Sequence, residues 1–225
     1  MTSNMDKQIF DGQPVVAIRS EQDRRSFLRS ALIVGVGAGF VGYKVGDPTS
    51  GSRASAWAGN LAKPSAKGDL DILNYALTLE YLEAEFYTLG VEAGVLSGRE
   101  LDLVTPIRDH ETAHVQAVTG TIQDLGGTPV EKPKFAFPKG TFSSREKFLA
   151  TASTFEELGV KAYHGQVTLI DSVDILGAAA SIAGVESRHA AILADLTGGE
   201  PFPSPIEANL PMNAVLKAAM PFIAA

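Results

Sequence analysis

The sequence predicts an all-α protein. Two antiparallel helix hairpins, joined by a long crossover, form a four-helix bundle, and a short C-terminal helix follows. Three observations carry this. From Lys67 to Thr197 apolar residues recur at alternating steps of three and four, the period of a helix with one buried face, and no strand-like alternation intervenes. Two pairs of such segments are separated by only a few residues, so each pair folds back on itself. The two pairs also repeat each other, down to the polar residues set within their apolar stripes.

The first helix is expected over roughly 69–90, with Leu73, Ala76, Leu77, Glu80, Ala84 and Tyr87 on its inward stripe. The second spans roughly 97–125 and carries Val104, Ile107, Glu111, His114, Val118 and Ile122. Ser97 and Glu100 have capping-box spacing at its start, and Gly126-Gly127 stops it. A second capping box, Ser143 with Glu146, opens the third helix, whose stripe includes Leu149, Ala152, Glu156, Gly159, Val160, Tyr163 and Val167. The fourth opens at Asp171 or Ser172 and ends at Gly198-Gly199. Its stripe is Ile175, Ala179, Ile182, Leu193 and Leu196, with Glu186 and His189 in the middle. The link between Gly126 and Ser143 contains Pro129, Pro133 and Pro138. Extended, it reaches about 50 Å. A 25-residue helix is about 37 Å long. The link can therefore run the length of the bundle and set helices two and three parallel. Residues 201–225 start with Pro201-Phe-Pro-Ser-Pro205 and return to an apolar run, Ala214–Met220, that either packs a short helix on the bundle or pairs two copies as a homodimer.

Composition narrows the chemistry. The 225 residues contain no cysteine, which excludes disulfides, thiolate-bound zinc, iron–sulfur clusters and thiol catalysis. Any metal must be held by carboxylates and imidazoles, and there are only four histidines. The net charge of −7 is unevenly spread: residues 1–56 carry +2 and residues 57–225 carry −9, so the main body has no basic patch for nucleic acid. The basic segment contains Arg24-Arg25-Ser26-Phe27-Leu28, followed by a short apolar, glycine-rich run from Ala31 to Val41. This resembles a twin-arginine export signal, with a small-x-small cleavage site at Ala54-Ser-Ala56. The expected location is periplasmic or extracellular, with a membrane contact only if the signal stays uncleaved. The expected division is a leader over 1–56, a bundle over 57–200 and a tail over 201–225.

The internal repeat places the chemistry. Glu80 is followed by Tyr87 and then by Glu111-x-x-His114. Glu156 is followed by Tyr163 and then by Glu186-x-x-His189, at almost the same spacings. Glu-x-x-His puts both side chains on one helix face. Four carboxylates and two imidazoles then converge in the bundle. Unpaired, the carboxylates would repel and raise one another's pKa values. Two divalent ions would balance their four charges, and this donor set suits iron or manganese, and also zinc. Glu83, one turn from Glu80, competes with it for the site, as Glu157 does with Glu156. Glu80 and Glu156 are preferred because each stands seven residues before a tyrosine. Glu85 falls off the stripe, into solvent. His110 and His164 point about 100° away from it, as surface or supporting groups, and Arg188 reads as a surface ion-pair partner.

The order Glu, Glu-x-x-His, Glu, Glu-x-x-His resembles the ferritin-like di-metal carboxylate superfamily. Leu73–Tyr87 and Glu156–Tyr163 are similar to the bacterial ferritin-like domain family that includes plant desiccation-related proteins. The resemblance covers about residues 67–200. It implies that Glu80 and Glu156 each bind one of two iron or manganese ions, that Glu111 and Glu186 bridge them, and that His114 and His189 each cap one. Tyr87 and Tyr163 would bond the ligands or carry an electron as catalytic groups, or else simply pack the core. The implied activity is redox chemistry on a small substrate or ion: Fe(II), peroxide or oxygen, of ferroxidase, peroxidase or catalase type. The alternative is a structural or desiccation-protective protein that turns nothing over.

Overall fold

A computed structural model describes residues 66–224, and the twin-arginine segment with its cleavage site lies outside the described residues. The fold is the expected all-α bundle. Its helices are α1 (Ala66–Glu92), α2 (Arg99–Asp124), α3 (Arg145–Gln166), α4 (Val173–Thr197) and the short α5 (Met212–Ala219). Among the described residues no helix is long and apolar enough to cross a membrane.

Polar contacts at the two ends fix the topology. At one end Arg99 pairs with Asp195 at 3.1 Å, and Arg145 grips the Glu100 carboxylate with Nε at 2.7 and 2.9 Å from its two oxygens. The starts of α2 and α3 therefore lie together, and the two helices run parallel. At the other end Asp69, near the start of α1, is buried and accepts from the backbone N–H groups of Asp171 (2.7 Å) and Ser172 (2.8 Å). That bond ties the α3–α4 turn to α1. The crossover runs along α1, as its reach allows: Val130 N–H donates to Asn74 Oδ1 at 2.7 Å, and Lys132 pairs with Glu85 at 2.8 Å. Glu85 is thus clamped to the crossover rather than free in solvent.

Two apolar layers enclose a polar middle. One is aromatic: Phe86 stacks on Phe148 at 4.8 Å between ring centroids and meets Phe155 edge-on at 5.0 Å. A Cβ on Gly90 would fall 1.9 Å from the Phe148 ring, so only glycine lets α1 approach that closely. The other layer is aliphatic, with Ile72, Leu73, Leu77, Val118, Ile122, Ile170 and Ile175. The tail closes over the aromatic layer. Val215 and Ala219 of α5 are buried in it, and Phe222 meets Phe155 edge-on at 4.7 Å. Ala136 N–H donates to the Phe222 carbonyl and Ala224 N–H to the Lys134 carbonyl, both at 2.8 Å, which staples tail to crossover.

Two helix starts differ from the expectation. The N-cap of α2 is Gly98, at φ 53°, and no side chain caps it, so Ser97 and Glu100 form no capping box. Leu96 is drawn into the core (4% exposed), and the chain must reverse sharply to begin the helix, a left-handed turn that glycine makes without strain. The cap of α3 is Ser144, whose hydroxyl accepts from Lys147 N–H at 3.3 Å; Ser143 is used up in the 3-10 turn Thr141–Ser143, so Glu146 cannot serve as its box partner. Ser172, one of the two expected caps of α4, accepts from Ile175 N–H.

Candidate metal centre

The polar middle is built from stripe positions that periodicity aims inward. Glu80, Glu111, Glu156 and Glu186 are at most 1% exposed, His114 is 8% and His189 4% exposed. The structure thus brings all six predicted residues together. Their donor atoms form two groups whose members lie within 4.8 Å of one another: Glu80, Glu111, His114 and Glu186 in one, Glu111, Glu156, Glu186 and His189 in the other. Glu111 and Glu186 belong to both.

The distances show that the two imidazoles cannot satisfy every carboxylate of this cluster. His114 Nδ1 stands 3.2 Å from Glu111, 3.2 Å from Glu186 and 3.3 Å from Glu80. One N–H cannot donate to three carboxylates. His189 Nδ1 is likewise 3.1 Å from Glu111 and 3.2 Å from Glu156. Glu186 Oε2 is buried without a hydrogen bond, and Glu80 Oε2, Glu111 Oε1 and Glu186 Oε1 meet only a histidine nitrogen that each shares with other carboxylates. Such atoms are costly unless a cation meets them. Carboxylate oxygens and imidazole nitrogens crowded around common points fit a pair of metal ions.

The tyrosines cross between hairpins. Tyr87 of the first donates to Glu156 Oε1 of the second at 2.6 Å, and Tyr163 of the second donates to Glu80 Oε1 of the first. Each bond occupies one oxygen of a carboxylate and leaves its Oε2 turned toward the histidine of the same group. Burial, and then the charge of the carboxylate it meets, pushes each tyrosine well above its ordinary pKa, so both stay protonated donors.

Electrostatics follow from the crowding. Burial lowers His114, but its contacts with Glu111, Glu186 and Glu80 override this and push it up to about 12. His189 reaches about 9 against the same burial through Glu111 and Glu156. Burial and neighbouring carboxylates drive Glu83 and Glu186 well above the usual range.

Glu83 is the residue sequence reasoning set aside. It is buried beside Glu80, at 4% exposed, but belongs to neither donor group. The signal was present, since positions 80 and 83 share a helix face. The other rivals fall outside. Glu157 is half-buried and pairs with Lys161 at 2.8 Å. His164 bonds the Val160 carbonyl through Nδ1 at 2.8 Å. Arg188 is exposed and makes no ion pair among the described residues, contrary to expectation. His110 is a supporting group: its Nδ1 is 2.8 Å from His189 Nε2, with the rings stacked at 5.1 Å.

A profile of the ferritin-like domain family matches residues 68–199. The chain belongs to that family. Among curated proteins none matches. A crystal structure of ferritin-like, diiron-carboxylate proteins from Bacillus anthracis str. Ames is similar at 21% identity, over 59% of this chain and 96% of that one, with a TM-score of 0.49. Within the ferritin-like bundle, the two overlapping Glu/His groups are the candidate dinuclear site.

Proposed function

We propose that this chain is an exported ferritin-like protein that holds two iron or manganese ions and carries out redox chemistry on Fe(II), peroxide or dioxygen. The observation that carries the reading is the pair of buried donor groups sharing Glu111 and Glu186. Glu80 and His114 would hold one ion, Glu156 and His189 the other, and the shared carboxylates would bridge them. A bound iron or manganese pair supplies one- and two-electron redox chemistry.

The chain's own groups do the rest. Tyr163 and Tyr87 hold Glu80 and Glu156 by one oxygen each, which fixes the other toward the ion site. Holding ligands in place before metal arrives reduces the cost of ordering them. The aromatic and aliphatic layers exclude water on either side, which strengthens every charge interaction between them. Relay of an electron to the pair is the second role proposed for the two tyrosines, through the same contacts. Export is proposed from the Arg24-Arg25 segment, and Arg24→Lys with Arg25→Lys should leave the protein in the cytoplasm on cell fractionation.

The test is consumption of dioxygen, peroxide and Fe(II) by the iron- or manganese-loaded full chain, beside Glu111→Ala. Turnover that disappears in the variant supports the reading. Metal that raises the melting temperature while none of the three is consumed faster than in buffer assigns the structural, desiccation-protective role instead.

A further inference from the structure

Glu83 is a buried carboxylate that the six-residue ligand set does not use. It is 4% exposed and makes no hydrogen bond or ion pair among the described residues. Its neighbours in charge are Glu186, Glu156, Glu111 and Glu80. A buried carboxylate in such company is costly unless something positive meets it.

The repeat shows what stands at the matching position. Aligning Glu80 with Glu156 and Tyr87 with Tyr163 sets Glu83 opposite Gly159. A Cβ at Gly159 would lie 2.7 Å from Glu186 Oε2 and 3.4 Å from Glu83 Oε1. Both oxygens therefore face the space that glycine leaves open. The second hairpin has no side chain where the first has a carboxylate, and the gap adjoins Glu186, a member of both donor groups.

We propose that Glu83 is a seventh ligand of the metal pair, admitted beside Glu186 by the glycine at 159. This rests on the dinuclear reading above. The centre then offers five carboxylates and two imidazoles. An added oxygen raises the coordination number, which favours six-coordinate iron or manganese over four-coordinate zinc. Glu83 is on this view the residue that biases the site against zinc.

Cobalt(II) is the probe, because its visible absorption intensifies as coordination number falls. The full chain is titrated with cobalt, then challenged with zinc, beside Glu83→Gln, Gly159→Ala and the control Glu157→Gln. Glu83→Gln should weaken binding of one of two cobalt ions about tenfold or more, intensify the absorption, and let zinc displace cobalt more readily. Gly159→Ala, whose Cβ would crowd Glu186 Oε2 first and Glu83 Oε1 second, should weaken both cobalt ions rather than one, and Glu157→Gln should move none of the readouts. If Glu83→Gln binds two cobalt ions with wild-type affinity and spectrum, Glu83 is not a ligand. A wild-type chain that binds no cobalt overturns the dinuclear reading itself, and the ligand assignment with it.

Discussion

The two hairpins differ less in their ligands than in what surrounds them. In register, Glu80, Tyr87, Glu111 and His114 fall on Glu156, Tyr163, Glu186 and His189. Around that shared set the halves diverge. Glu83 faces Gly159, Phe86 aligns with Ala162, and His110, which bonds His189, aligns with Val185. A duplicated scaffold thus keeps a symmetric cage while its supporting groups become unequal. Symmetry is retained in the Glu/His cage itself, and is relaxed where packing and hydrogen bonding act on one half at a time.

The largest expected effect separates shared from single ligands. Glu111→Ala or Glu186→Ala removes a group common to both donor sets and should abolish binding of both ions. Glu80→Ala or Glu156→Ala should leave about one ion per chain, because each belongs to one set. Elemental analysis distinguishes the two classes, and equal losses from all four would break the assignment of bridging and terminal roles.

The crossed tyrosines sharpen the symmetry. Tyr87→Phe and Tyr163→Phe each leave one buried carboxylate oxygen without its donor. Each should destabilise the metal-free chain by about 1–3 kcal/mol in urea unfolding. The two losses should be similar, since the bonds are counterparts across the repeat; a loss confined to one would show that the halves are unequal even in the cage.

A pH series tests the charge balance. In the metal-free chain burial raises Glu80 to about 7 against the pull of His114, while His114 and His189 are raised to about 12 and about 9. The folded state therefore binds more protons than the unfolded state, from the ordinary carboxylate range through the histidine range. Stability should fall as pH rises from about 5 to 9. Glu111, held down to about 2 by the two histidines against burial, acts in the opposite sense only at more acidic pH. Metal ions displace these protons. The loaded protein should accordingly show a flatter melting temperature over about pH 6 to 9, and a metal-free chain that grows more stable with rising pH would contradict the assignment.

The smallest effect concerns the supporting histidine. His110→Ala removes the hydrogen bond to His189 Nε2 and should weaken one ion about tenfold. Val185→Ala, at the matching position, should leave the His114 half unchanged. Calorimetric titration resolves the two binding steps.

Much of this was legible in the sequence because helical period alone aims residues inward. The six ligands occupy stripe positions, so their convergence follows from spacing, and the length of the crossover allows α2 and α3 to run parallel. What stayed hidden depends on three-dimensional register. Spacing ties Glu80 to Tyr87 within one hairpin, yet the hydroxyl of Tyr87 reaches Glu156 in the other. Glu83 and Glu80 share a face, and only the gap at Gly159 shows that both are accommodated. The caps of α2 and α3, Gly98 and Ser144, each stand one residue beyond the position that capping-box spacing marks.

The most direct test of a shared dinuclear centre is metal stoichiometry in the full chain folded with iron and manganese present. Two ions per chain, lost together in Glu111→Ala, is the expected result. Fewer than about one ion per chain, with Glu111→Ala and His189→Ala no different from wild type, would contradict it.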